Sequence, residues 1–262
     1  MDRRSFISGA VVGAVGAGLA GSGTVLAARQ WASGSLPSVA DPQPASKARQ
    51  SFAQMGEDIV LFHLLRDWMK VPSPLYLDIG AADPVESSNT YLLYCTGGRG
   101  VLVEPNPDYV VKLRRVRPED IVVQAGIGIT DANAADYYVM RGQPTLNTFS
   151  PAQVEMYRRS GHPDIVEKVV KMPLIAVNHV IAQCLGKAPD LLSIDVEGLD
   201  LDILRTLDFV AFKPGAVIAE TIMMGGGAAD NTEIGVFLKS KGYVVRGGSL
   251  YNTIFADPSR YR

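Results

Sequence analysis

YLDIGAADP, residues 76–84, is an apolar run typical of a buried β-strand, and it ends on an acid followed by small residues. In an open parallel sheet, ligands bind outside the carboxyl ends of the strands, where the turn after the first strand meets them. Gly80, Ala81 and Ala82 lack bulk, so the chain can turn sharply there and approach a ligand closely. The stretch therefore predicts the first strand of an α/β sheet and a ligand-binding turn, with Asp78 at the strand end.

Strand-like and helix-like runs alternate around this stretch, which is typical of a parallel sheet covered by helices on both faces. EDIVLFHLLRDWM, residues 57–69, has apolar residues at helical spacing and predicts a leading helix. The predicted strands are LYLDIG, GVLVEPN, DIVVQAGI, DLLSIDVEG, GAVIAET, GYVVRGG and YNTIFAD. Residues 145–174 are longer than a simple crossover needs, and such insertions commonly cover the ligand side. We therefore predict one doubly wound α/β domain with seven strands.

The composition favours a single globular domain and excludes some partners. The 262 residues are 47% hydrophobic, enough for one α/β domain of ordinary size. With 25 basic and 27 acidic residues and no basic face, the chain is not predicted to bind nucleic acid. The two cysteines, Cys95 and Cys184, have no CxxC spacing, so neither a metal site nor a redox dithiol is supported.

The N-terminus differs from the rest of the chain. DRRSFIS, residues 2–8, places paired arginines before an uncharged run rich in Gly, Ala and Val, and it resembles a twin-arginine export signal. A membrane anchor through residues 5–28 is the alternative. We predict a signal or anchor at residues 1–30, a flexible linker at 31–50 and the folded domain at 51–262. This implies an exported, periplasmic or membrane-anchored protein, although a cytoplasmic location stays open.

A second acid, Glu104, ends the next predicted strand in VLVEPNP. An acid at this position is suited to accept hydrogen bonds from both hydroxyls of a ribose. The preceding turn lacks the G-x-G-x-x-G that would bring a helix N-terminus against a pyrophosphate. A cationic ligand without phosphate, such as S-adenosylmethionine, therefore suits Asp78 and Glu104 better than a dinucleotide. The alternative is that both acids only cap loops.

A third group of acids lies in LLSIDVEGLDLDIL, residues 191–204. Strand alternation puts Asp195 and Glu197 on one side, and their desolvation cost predicts that they lie at the open end of the sheet. There they are candidates to position or deprotonate an acceptor, with loop support as the alternative for either. Asp200 and Asp202 are predicted in the first turn of a helix, where the dipole favours negative charge.

Glu220 is a further acid at this edge, at the end of VIAET, where closing the loop after its strand is its expected role. Three or four acids at one edge could hold a divalent cation through oxygen ligands. Spacing alone cannot establish coordination geometry, so no metal is predicted.

Four segments together resemble the FkbM family of S-adenosylmethionine-dependent methyltransferases. In chain order they are AQMGEDIVL, YLDIGAADPVESSNTYLLY, GVLVEPNP and LLSIDVEGLDLDIL. The resemblance runs from about residue 51 to residue 257. It implies a Rossmann-like class I methyltransferase fold with a seven-stranded, mostly parallel sheet. It also implies methyl transfer to a hydroxyl of a sugar or secondary metabolite, so the expected partner is a small-molecule or glycan acceptor.

The resemblance also implies roles for individual residues. Asp78, Gly80 and Ala81 would line the methionine end of S-adenosylmethionine, and Glu104 would bind its ribose. Asp195 and Glu197 would lie near the reacting methyl group. These last two are the candidate catalytic residues.

The predicted leader and the predicted cofactor lead to a second hypothesis. S-adenosylmethionine is made in the cytoplasm, whereas the leader would deliver the domain across a membrane. The chain could therefore be an exported, non-catalytic binding protein that keeps the fold and recognises a glycan or small metabolite. Retention of Asp78, Glu104 and Asp195 favours the enzyme, because a binding protein would be free to lose a donor site.

Overall fold

The computed structural model describes residues 50–221 and 232–261. The predicted signal or anchor and nearly all of the predicted linker lie outside these residues. Within the described ranges, no helix is both long and apolar enough to span a bilayer.

The strands form a large main sheet and a small second one. In chain order they are β1 Leu75–Ile79, β2 Arg99–Val103, β3 Ile121–Val123, β4 Gly126–Ile127, β5 Ala134–Met140, β6 Val166–Ile175, β7 Leu191–Ile194, β8 Ala216–Glu220, β9 Val244–Gly248 and β10 Asn252–Ala256. The main sheet has seven strands within the described residues, in the order β3-β2-β1-β7-β8-β10-β9. β10 pairs antiparallel with both β8 and β9, and the other strand pairs of this sheet are parallel. The predicted seven-stranded, mostly parallel α/β fold is confirmed.

The helices connect these strands. They are α1 Glu57–His63, α2 Tyr91–Cys95, α3 Pro107–Val116, α4 Pro151–Arg159, α5 Val177–Val180, α6 Asp200–Thr206 and α7 Glu233–Ser240. A π-helical turn, Leu64–Trp68, extends α1, so the predicted leading helix is confirmed. Two helices begin at N-cap residues. Asn106 at the start of α3 and Ser150 at the start of α4 each accept a hydrogen bond from a backbone N–H through their side chain, and each is followed by a proline.

Strand alternation divides the core of the main sheet into two layers. Leu77 and Ile79 of β1 face a layer that includes side chains of α5, α6 and α7, which we name the α6 layer. Tyr76 faces the opposite layer, formed with α1, α2 and α3, which we name the α1 layer. Because side chains alternate along a strand, Asp78 belongs to the same side as Tyr76.

The small sheet is the part of the fold that the sequence pattern did not predict. DIVVQAGI was predicted as one strand, but β3 ends at Val123 and the chain then leaves the main sheet. Gly126 and Ile127 pair instead with the end of β6, which also pairs antiparallel with β5. Residues 141–165, between β5 and β6, carry α4; we name this segment the cap.

Candidate active site

The carboxyl ends of β1, β2 and β7 converge on one cavity. The volume open to the centre of a water molecule is about 50 Å³. The whole empty space, which includes the mouth open to solvent, is about 570 Å³. The main sheet contributes Ile79, Gly80, Ala82, Val103, Glu104, Pro105, Asp195, Val196 and Glu197. The cap contributes Pro144, Thr145, Asn147 and Phe149. The inserted segment therefore covers this edge of the sheet, as its length predicted.

Gly80 allows β1 and β7 to meet at the cavity. Its φ of 83° lies in the left-handed region, and a Cβ placed there would lie 2.0 Å from the backbone oxygen of Asp195. Only glycine fits this contact, since both the space and the backbone conformation exclude a side chain. The tight turn predicted after the first strand is thus present, and it packs against the end of β7.

Glu104 is buried at the end of β2 and braces the same turn. Its Oε2 accepts a hydrogen bond from Ala82 N at 2.9 Å, and its Oε1 accepts one from Asn106 N at 2.7 Å. Burial raises the pKa of Glu104 to about 7, although these two backbone bonds oppose the rise. A carboxylate offers about four lone-pair sites, so each oxygen can accept a further hydroxyl. Glu104 can therefore brace the loop and bind a ribose at the same time.

Glu197 is held by the cap. Its carboxylate Oε2 accepts a hydrogen bond from the Tyr157 hydroxyl at 2.5 Å, and its backbone oxygen accepts one from Thr148 Oγ1 at 2.8 Å. Its φ of 56° lies in the left-handed region, which is uncommon for a non-glycine residue. Such backbone conformations persist where surrounding contacts impose them, often at functional sites.

The acids after β7 influence one another. Asp195 and Glu197 both line the cavity, and Asp200 opens α6 behind them, as predicted. Burial raises the pKa of Asp200 to about 7, and repulsion from Asp195 and Glu197 adds to the rise. Asp195 and Glu197 thus form an acidic stretch of the cavity wall next to Asp200.

Asp78 and Ala81 are not among the residues that line the cavity, and their contact with a ligand stays a prediction. Asp78 faces the α1 layer, where its Oδ2 accepts a hydrogen bond from Thr90 Oγ1 at 2.6 Å. Burial raises its pKa, and attraction to Arg117 opposes that rise. The reason is the two-residue period of the strand: Ile79 points toward the cavity, so its neighbour Asp78 points away.

Three side chains of the cap and its flanking strand were not singled out by the sequence. Tyr157 lies on α4, Phe149 precedes that helix, and Tyr137 lies in β5, yet all three approach the cavity or its acids. Their contacts join positions far apart in the chain, which no local motif reports. In the described ranges, no three histidine, cysteine or acidic side chains are grouped so that they could hold a metal ion.

The raised pKa values predict how stability depends on pH. Glu104 and Asp200 have pKa values of about 7 in the folded chain, against 4.5 and 3.8 for the free groups. The folded state therefore binds more protons between these values, so stability should fall by several kcal/mol as pH rises from about 4 to about 7. Urea unfolding at a series of pH values measures this.

Asp200→Asn is the matching variant, because it removes one of the two titrating groups and keeps a side-chain oxygen for the N–H of Val196. We expect the fall in stability with pH to be shallower in Asp200→Asn than in the wild type. If stability fell equally steeply with pH in Asp200→Asn and in the wild type, Asp200 would not titrate in this range.

The strand order and the site together define a class of protein. β1 lies at the point where strand order reverses, and the cavity opens beside it at the carboxyl ends of the parallel strands. The antiparallel β10 lies between β8 and β9. This is the Rossmann-like fold of class I methyltransferases. The family model of the methyltransferase FkbM domain matches residues 78–245, and the chain therefore belongs to the FkbM methyltransferase family.

Solved structures of methyltransferases are similar in part. A methyltransferase FkbM from Methylobacillus flagellatus KT is 16% identical with a TM-score of 0.42, over 71% of this chain and 44% of that one. A precorrin-6y C5,15-methyltransferase from Geobacter metallireducens GS-15 is 16% identical with a TM-score of 0.40, and the match covers 79% of this chain and 91% of that one. A TehB-like SAM-dependent methyltransferase from Corynebacterium glutamicum ATCC 13032 Kitasato is 10% identical with a TM-score of 0.38, and the match covers 89% of this chain and 97% of that one. A comparison with curated proteins gives no match.

Proposed function

We propose that this chain transfers a methyl group from S-adenosylmethionine to a hydroxyl oxygen of a sugar or other small metabolite. The observation that carries the proposal is the cavity at the ends of β1, β2 and β7, where Gly80, Glu104, Asp195 and Glu197 come together. Family membership supports the transfer of a methyl group. The donor, the acceptor and the oxygen specificity are the proposed part.

The cavity suits a cationic donor. Three carboxylates line it, and among the described residues of its wall none is basic. A phosphate-bearing ligand would be repelled by such a wall, whereas S-adenosylmethionine carries an ammonium and a sulfonium group. Glu104 is placed to accept its ribose hydroxyls, and the tight turn at Gly80 lets the backbone approach its methionine end closely. The residues present therefore fit this group.

Methyl transfer needs little from the protein beyond alignment. When bound, S-adenosylmethionine supplies a methyl carbon that is already activated by its sulfonium. The chain must place the acceptor oxygen in line with that carbon and exclude competing water. Asp195 and Glu197 lie at the rim after β7, where either can hold the acceptor hydroxyl and accept its proton. The Tyr157 hydroxyl fixes the orientation of the Glu197 carboxylate.

Calorimetric titration of the full chain with S-adenosylmethionine tests the donor. We expect micromolar affinity, about −8 kcal/mol. Incubation with donor labelled in its methyl group, together with methyl glycosides or with primary amines, then tests the acceptor. Label should appear on the glycosides and be lost in Asp195→Asn/Glu197→Gln. Absence of donor binding, or label on the amines alone, would contradict the proposal.

A further inference from the structure

The cap is fastened to the loop after β7 by contacts that converge on two neighbouring residues. Thr148 and Tyr157 both donate hydrogen bonds to Glu197, to its backbone and to its carboxylate respectively. Gln153 packs against Gly198, where a Cβ would lie 2.9 Å from Gln153 Oε1. Gln153 Nε2 also donates to the Tyr157 hydroxyl at 2.9 Å, which joins the contacts into one group.

The cap shares a small core with the end of β5. Val154 and Ile165 of the cap form a buried cluster with Met140 of β5, and this cluster shares no residue with the two layers of the main sheet. A segment whose buried cluster is separate from the main core can open at low free energy while the main sheet stays intact. The cap can therefore move without disrupting the strands that carry Gly80 and Glu104.

The closed cap leaves little room in the cavity. The Phe149 ring lies so close to Gly126 that a Cβ there would be 2.5 Å from the ring, and its centroid is 4.7 Å from that of Tyr137. Only about 50 Å³ can be occupied by water-molecule centres. Sites for ligands of this size usually enclose about 300–1,000 Å³. A ligand with an adenosine and a methionine moiety needs a wider site than this.

We propose that the cap is a lid latched to Glu197, which swings away to admit S-adenosylmethionine and closes again to set the Glu197 carboxylate through Tyr157. The identity of the ligand rests on the proposed function, whereas the movement rests on the contacts above. The left-handed backbone of Glu197 is consistent with a latch, because such conformations cluster at switch regions.

A reversible disulfide tests the movement. A Cβ at Gly198 would lie 3.5 Å from Gln153 Cβ, within the range of about 3.5–4.5 Å found in disulfides. We would make Gln153→Cys/Gly198→Cys in a chain carrying Cys95→Ser and Cys184→Ser, and measure association of S-adenosylmethionine by stopped flow. Oxidation should slow association at least tenfold, and reduction should restore it. Equal rates for the two forms would overturn the lid.

The reduced pair is the matched control, since it carries the same substitution at the left-handed Gly198 as the oxidised pair. Loss of donor binding in the wild type and in the reduced pair alike would instead count against the proposed function. In that case, hydrogen exchange of the full chain without ligand tests whether the cap moves.

In that measurement, Tyr157→Phe should speed the exchange of amides in the cap at least tenfold and leave those of β1 unchanged. Tyr261→Phe, which removes a hydroxyl that accepts a hydrogen bond from Arg246 Nε beside the α1 layer, is the control and should leave the cap unchanged. Unaltered exchange in Tyr157→Phe would overturn the latch whether or not S-adenosylmethionine binds.

Discussion

Glu104→Ala is expected to weaken binding of S-adenosylmethionine about 100-fold, a loss of about 2.7 kcal/mol. The carboxylate is buried at the end of β2, and each of its oxygens accepts one backbone hydrogen bond and has a lone pair for a further donor. Hydrogen bonds to a charged group contribute about 1.5–3 kcal/mol each, so the loss of two ribose contacts accounts for the effect even when part of it is offset by solvent. Calorimetric titration measures it directly.

The pH dependence of the affinity gives a second readout of the same residue. Ribose hydroxyls donate to the ionised carboxylate, and burial raises the pKa of Glu104 to about 7. Affinity should therefore rise as pH increases through about 7, and binding near that pH should release a proton. Glu104→Gln, which cannot ionise, should bind weakly and without this pH dependence.

Glu86→Gln is the matched control, because it removes one negative charge from an exposed position in the loop after β1. It should bind S-adenosylmethionine as the wild type does. Thermal unfolding of Glu104→Ala is needed beside the titration, since the N–H groups of Ala82 and Asn106 lose their acceptor. A folded Glu104→Ala that binds donor with unchanged affinity would remove Glu104 from the ribose site.

The main sheet could be predicted from sequence because its central strands are short apolar runs that end in turns. Burial on both faces demands such runs, so β1, β2, β7 and β8 are visible in the pattern. The meeting of Glu104, Asp195 and Glu197 followed from the same logic, since carboxyl ends of parallel strands share one edge. These placements depend on local pattern and on topology alone.

The side of the sheet on which Asp78 lies could not be read from the sequence. The acid stands in the final residues of β1, next to the turn, and its position along the chain suggested the cavity. Alternation places Ile79 toward the cavity and Asp78 toward the α1 layer, where Thr90 and Arg117 stabilise it. A partner such as Arg117, far along the chain, gives no signal near the strand.

The small sheet was missed for a different reason. Residues of β5 and β6 are mostly exposed or half-buried, so neither strand shows a clean two-residue alternation. Their stability depends on pairing with each other and with Gly126 and Ile127, which is a non-local property. The contact between Tyr157 and Glu197 is non-local in the same way and could be found only from the fold.

Asp120→Asn is expected to lower the free energy of unfolding by about 3–5 kcal/mol, because it breaks a buried ion pair and leaves Asp78 as the acid that still faces the Arg117 cation. Arg117 is fully buried and donates from Nε to Asp120 Oδ2 at 2.9 Å. The Tyr76 hydroxyl lies 2.9 Å and 2.8 Å from the two carboxylate oxygens, and Gly100 N donates to Oδ1 at 2.8 Å. Urea unfolding measures the loss.

Glu119→Gln is the control for this pair, because Glu119 pairs with Arg99 at the surface and side-chain exposures of 57% and 38% leave that pair in solvent. Exposed ion pairs contribute about 0–1 kcal/mol to stability. The losses in unfolding free energy for Asp120→Asn and Glu119→Gln should therefore differ by several kcal/mol. Equal losses for Asp120→Asn and Glu119→Gln would show that burial adds nothing to the inner pair.

Arg117→Met should be more damaging than Asp120→Asn, since the same guanidinium also attracts Asp78 and donates to Thr90 Oγ1 at 3.0 Å. Its removal leaves two buried acids without a cation, whereas Asp120→Asn leaves one cation that still faces Asp78. Adding Asp78→Asn to Arg117→Met should therefore recover part of the stability, because one uncompensated charge disappears. No recovery in that double variant would mean that Asp78 is not stabilised by Arg117, and its place in the α1 layer would need another explanation.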